Sequence, residues 1–136
     1  MKSRGLRNNN PLNIRHSGEQ FQGEIKGKDR SFKTFSSLPY GYRAGFVILG
    51  TYLSKGLNTI EKIVTHWAPP AENDTESYIS NVERWSGVSR NKELTASNGT
   101  DYILIVAAMS FVENGQNADI SAVQAGFNLQ TKIKIQ

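Results

Sequence analysis

The pattern of apolar and polar positions divides the chain into a small extended part followed by helices. Residues Phe21 to Phe35 alternate around Gly23, Gly27 and Lys28-Asp29, the pattern of a short β-hairpin, with Phe32 and Phe35 as its anchors on the helices. From Pro39 to about Ser54, the apolar residues Phe46, Val47, Leu49 and Leu53 predict a buried helix that stops near Lys55-Gly56. Asn58 and Glu61 stand in capping-box spacing ahead of Ile60, Ile63, Val64 and Trp67, and Pro69-Pro70 ends that second helix. Asn73 and Glu76 repeat the spacing for a third, with Ile79, Val82 and Trp85 as its apolar side and Ser86-Gly87 as its close.

After a polar loop from Ser89 to Gly99, the stretch from about Asp101 to Asn114 is the most hydrophobic of the chain. Tyr102, Ile105, Val106, Met109 and Val112 mark it as the central core helix, ended by Asn114-Gly115. Asp119 caps a short final helix through Phe127, and residues 130–136 read as a loose tail. With 136 residues and no linker or internal repeat, a single domain over residues 1–136 is expected. Its class is α+β, mostly α-helical, with a small β-hairpin lobe.

Composition narrows the chemistry. The chain has no cysteine, which excludes disulfides and thiol catalysis, and two histidines without a ligand cluster make a metal site unexpected. No cofactor is implied. No run approaches the roughly 18 apolar residues of a membrane span, and the polar start Met1-Lys2-Ser3-Arg4 has no signal-peptide apolar region. Membrane insertion is therefore not expected. The protein is expected to be cytoplasmic on synthesis. The net charge of +4 comes from scattered residues without a nucleic-acid motif, so nucleic acid is not an expected partner. A modest basic excess suits either an ordinary solvated surface or attraction to an anionic cell wall.

Two places carry candidate chemistry. The opening stretch Arg4-Gly5-Leu6-Arg7-Asn8-Asn9-Asn10-Pro11-Leu12-Asn13-Ile14-Arg15 combines carboxamides with cations and is a poor helix interior. It reads as a capped turn leading into a strand, or as a surface offering both donors and acceptors to a neutral, acetamido-rich glycan. Its arginines, among them Arg15, either pin the loop or bind an anion. Glu113 lies on the last turn of the core helix, where the negative end of the helix and partial burial favour its protonated form. A general acid needs that property; an exposed glutamate at a helix end is the plainer alternative.

These motifs, in order Asn-Asn-Asn-Pro-Leu-Asn-Ile-Arg, Phe21-Gln22-Gly23, Phe32-Lys33-Thr34-Phe35, Tyr40-Gly41-Tyr42-Arg43-Ala44, Trp67-Ala68-Pro69 with Glu72-Asn73-Asp74-Thr75, and Glu113-Asn114-Gly115, resemble a family of small phage and prophage proteins. That family reads roughly RG(I/L)RNNNPxNIR, WxG, FxxF, GxRA, WAPxxENdT, YI and ENG. It is in turn similar to lysozyme-like lytic transglycosylases and muramidases. The resemblance implies a lysozyme-like domain in which Glu113 is the acid and Tyr78 lies beside it. The Asn-rich segment and hairpin precede the acid-bearing helix here, an order that a circularly permuted lysozyme-like fold would reconcile.

The function expected on this basis is cleavage of the linkage between N-acetylmuramic acid and N-acetylglucosamine in peptidoglycan glycan strands. Glu113 and Glu24 are the catalytic candidates, and Asn9, Asn10, Asn13, Asp29, Tyr78 and Trp67 the substrate-binding ones. Glu24 and Asp29 would overlook the cleft from the hairpin, or else be solvated hairpin charges. The alternative is a non-enzymatic phage structural or cell-wall-binding protein of the same fold; on either reading the resemblance implies a protein that is cytoplasmic on synthesis or phage-particle-associated and acts at the bacterial cell wall.

Overall fold

A computed structural model describes residues 2–133. Among them it forms six helices and a two-stranded antiparallel sheet, an α+β arrangement that is mostly helical. The order is α1 (Arg4–Arg7), β1 (Glu24–Ile25), β2 (Thr34–Phe35), α2 (Leu38–Ser54), α3 (Ile60–Trp67), α4 (Thr75–Ser86), α5 (Gly99–Asn114) and α6 (Ile120–Asn128). Glu24 pairs with Phe35 and Ile25 with Thr34, and an isolated bridge between Arg15 and Phe32 extends the ribbon back to the N-terminal loop.

Helix α5 is apolar around most of its circumference, with Tyr102, Ile105, Val106, Ala108 and Met109 all buried; α1, α2, α4 and α6 pack against it, and α3 packs on α4. Its end is set by Gly115, whose φ of 69° is left-handed and cheap only without a Cβ. Helix α2 begins with proline in its first turn, where the missing N–H costs nothing. It packs along α6, with Phe46 edge-on to Phe127 at 5.1 Å. Its Tyr42 hydroxyl lies 2.8 Å from the Ser110 hydroxyl of α5, so the polar tip of a buried tyrosine is paired. Thr75 of α4 donates to the Ala68 carbonyl at the end of α3, which fixes the angle between those helices.

Several local expectations are corrected. Both capping positions lie one residue later than predicted: Thr59 accepts from the Lys62 amide, and Asp74 from the Ser77 amide. The nearer side chain in each case reaches the third amide of its helix, as a cap must. The opening stretch contains a one-turn helix, started by Ser3, which accepts from the Leu6 amide. Trp85 is not core: it is half exposed and stacks on Phe111 at 4.7 Å. Phe35 is buried as expected, whereas Phe32 is only partly buried, beneath two guanidinium groups. Within the predicted tail, Gln130 and Ile133 are buried, and Gln130 donates to the Phe127 and Ile133 carbonyls. Residues 134–136 lie outside the described residues.

Gly5 shows how tightly α1 seats against the end of α5. A Cβ there would lie 2.7–2.8 Å from the Asn114 Oδ1, the Asn10 carbonyl and the Asn13 Oδ1. Gly5→Ala is therefore expected to destabilise the protein by about 1–3 kcal/mol, the usual cost of overpacking. Thermal unfolding checks it; an unchanged midpoint would mean that α1 is not seated on α5.

Candidate functional site

Glu113 is the penultimate residue of α5, and its carboxyl lies largely buried where α5, α4 and the N-terminal loop meet. Asn13 Nδ2 donates to Oε1 at 2.8 Å and the Tyr78 hydroxyl donates to Oε2 at 2.9 Å. The Trp67 indole N–H and the Arg15 charge add weaker support for the ionised form. Burial outweighs these donors, so the Glu113 carboxyl is held above its ordinary value of 4.5. Burial, followed by the Glu113 charge, also pushes the Tyr78 phenol well above its ordinary 10.0.

The donor Asn13 is aimed by unusual backbone. Its φ is 52°, a left-handed conformation that asparagine tolerates better than most residues, and its amide donates to the Asn10 carbonyl. Asn10 is fully buried and organises the turn from inside, donating to the Ile14 and Lys33 carbonyls and accepting from the Ile14 amide. Asn9, also left-handed at 51°, donates to the Phe35 carbonyl. The loop is stapled to α5 by Asn114, which donates to the Pro11 and Ser110 carbonyls and accepts from the Ser3 hydroxyl.

A polar cleft of about 220 Å³ opens over Glu113. Asn13, Trp67 and Glu113 line it, together with Arg15, Phe32, Pro69, Glu72 and Asn73. Tyr78 braces the acid from the buried side and is not among the lining residues. Of the three asparagines expected to touch a ligand, only Asn13 reaches this cleft; the amides of Asn9 and Asn10 bond to backbone instead. Tyr40 has its ring against Gly23.

The two hairpin acids do not join Glu113. Both oxygens of Glu24 lie 3.0 Å from Nζ of Lys33, a buried lysine that also donates to the Glu19 carbonyl and sits over the Phe21 ring. Glu24 thus neutralises a charge that would otherwise be buried unpaired. Asp29 takes both guanidinium donors of Arg4 at 2.6 and 2.7 Å, the Asn8 amide at 3.0 Å, and the backbone N–H groups of Ser31 and Phe32. The Arg4 guanidinium first, then those N–H donors, holds its carboxyl well below the usual range. Glu72 and Asn73 also line the cleft, although the sequence marks them only as part of a motif and, for Asn73, as a helix cap. Among the described residues no cluster of three or more His, Cys, Asp or Glu side chains is placed to hold a metal ion. No helix among them is long and apolar enough to cross a membrane.

Comparison with known proteins places the chain among phage proteins. It is 46% identical over 120 residues to Protein P5 of Pseudoalteromonas phage PM2, covering 85% of this chain and 73% of that protein. The chain belongs to the family of Protein P5. No family model matches it. This match overturns the expectation of a peptidoglycan-degrading enzyme: along most of its length the chain is similar to a phage protein that bears no such designation. The paired-acid arrangement considered for that chemistry is also missing, since Glu24 and Asp29 are committed to Lys33 and Arg4.

The raised Glu113 carboxyl has a signed consequence. The folded protein holds this proton more tightly than the unfolded chain, so Glu113's contribution to stability falls as pH rises from about 4.5 through its raised folded value. Glu113→Gln removes that contribution. The difference in unfolding midpoint, variant minus parent, is expected to grow as pH is raised from 4 to 8. A difference that stays constant would place Glu113 in water.

Proposed function

We propose that this chain is a non-enzymatic phage-particle protein whose Glu113 cleft binds glycan of the bacterial cell wall. The similarity to a phage protein over most of the chain carries this reading. The cleft supplies a fitting surface: the Asn13 amide and Glu113 carboxyl offer donor and acceptor positions, and Trp67 offers a face for the C–H side of a sugar. A lysozyme-like plan, circularly permuted, belongs to the same proposal. An acid at the end of an apolar helix, a tyrosine of the neighbouring helix beside it, and a small hairpin lobe support that plan. In this reading Glu113 is an acceptor for ligand hydroxyl and amide groups, positioned by the donors that surround it.

Sedimentation with purified sacculi tests the proposal. The parent protein is expected to co-sediment and to release no soluble fragments. Trp67→Ala is expected to bind roughly tenfold more weakly, the equivalent of about 1.4 kcal/mol. Circular dichroism confirms that the variant is folded. A parent that stays in the supernatant contradicts glycan binding, and released fragments contradict the non-enzymatic role.

A further inference from the structure

A separate hollow of about 210 Å³ lies where α1, the start of α2 and the turn between α5 and α6 meet. It shares no lining residue with the Glu113 cleft. Its most buried lining residues are Tyr42 and Ser110, at 0% and 1% exposure. Their hydroxyls lie 2.8 Å apart and share one hydrogen bond, which uses one of the two hydroxyl protons. The other contact of the Ser110 hydroxyl is with a donor, the Asn114 side-chain amide at 3.5 Å. The second proton therefore has no acceptor among the described residues. A buried donor left unpaired is costly, so the hollow calls for an acceptor from outside.

Two charged side chains, Lys2 and Asp119, line the same hollow, and neither has an ion-pair partner among the described residues. Lys2 is placed by its backbone: its carbonyl accepts from the Arg7 guanidinium, and the adjacent Ser3 caps α1. Asp119 Oδ1 caps α6 by accepting from the Ala122 amide, while Oδ2 has no protein donor. Asp119 also stands close enough to the hydroxyl pair for its charge to add to the rise that burial gives the Tyr42 phenol. A cation and an anion that line one hollow without pairing suit a ligand carrying both charges. Leu6 and Leu38 give the hollow an apolar wall.

We infer that this hollow binds the zwitterionic head of an α-amino acid. Asp119 Oδ2 accepts from the ammonium group and Lys2 donates to the carboxylate. The spare proton of the Tyr42–Ser110 pair goes to a carboxylate oxygen, and Leu6 and Leu38 face the side chain. Two sources share this chemistry: a free apolar amino acid, and the free end of a diaminopimelate residue in a wall stem peptide. The site stands apart from the glycan reading, because the two places have no residue in common.

Titration calorimetry on the full chain, joined to amide-shift mapping by NMR, tests it. The first probes are leucine and its single-charge counterparts, leucinamide and 4-methylpentanoate. The second are the stem tripeptide L-alanyl-γ-D-glutamyl-meso-diaminopimelate and the same tripeptide ending in lysine, whose free end lacks the carboxylate. Leucine or the diaminopimelate tripeptide is expected to bind about tenfold more tightly than its counterparts, a difference of about 1.4 kcal/mol. It should move the Asn117 and Asp119 amides but not the Trp67 indole signal. The zwitterion that binds more tightly identifies the source. Asp119→Asn keeps a competent helix cap and Lys2→Gln alters an exposed residue, so both variants are expected to fold, which circular dichroism confirms. Each should weaken the preferred zwitterion about tenfold. A zwitterion bound no better than its counterparts, binding unchanged in either variant, or failure of both zwitterions to bind overturns this site and leaves the Glu113 cleft untouched.

Discussion

A carboxyl group buried at the negative end of a helix is the constraint on which this structure turns. Neither burial nor the helix field favours a charge on Glu113, so the group requires donors, and they come from separate parts of the chain. Asn13 arrives from the N-terminal loop, Trp67 from the end of α3 and Tyr78 from α4. Each must be placed to within a few tenths of an ångström to donate well. The left-handed turn at Asn13, the close seating of Gly5 and the clamp from Asn114 all serve that placement. A polar cleft in front of Glu113 follows from gathering these groups at one point.

The hairpin is secured by a different device. Its acids are matched locally to cations, Glu24 to the buried Lys33 and Asp29 to Arg4, and Asp29 also gathers the amides of its own turn. These pairs tie a ribbon with only two-residue strands to α1 and to the core.

Helical periodicity made much of the fold legible. The apolar helix ending at Asn114-Gly115, the Asp119 cap and the stop at Gly87 stand in the structure as the residues indicated. Capping positions slipped by one residue because Asn58-Thr59 and Asn73-Asp74 each present two competent caps, and only backbone geometry chooses between them. Trp85 misled because a large apolar residue at helical spacing looks like core, yet it rests on Phe111 at the surface. The asparagines were legible as a polar cluster but not in their direction: a carboxamide serves a buried carbonyl as well as a ligand, and Asn9 and Asn10 do the former. Glu24 misled for a related reason, since its position on the hairpin gives no sign of the lysine nine residues on that occupies it. The same ambiguity lies behind the functional correction. An acid, a tyrosine and a helix end are compatible with catalysis, but the residue pattern cannot say whether the gathered groups cleave a ligand or hold one.

The most direct measurement is the ¹³C NMR signal of the Glu113 side-chain carboxyl, followed through pH with and without a wall-derived glycan oligomer. A buried carboxyl at the floor of a glycan cleft should titrate above the ordinary value of 4.5, and the oligomer should shift both its signal and its midpoint. A carboxyl that titrates at the ordinary value and ignores the oligomer would contradict the account.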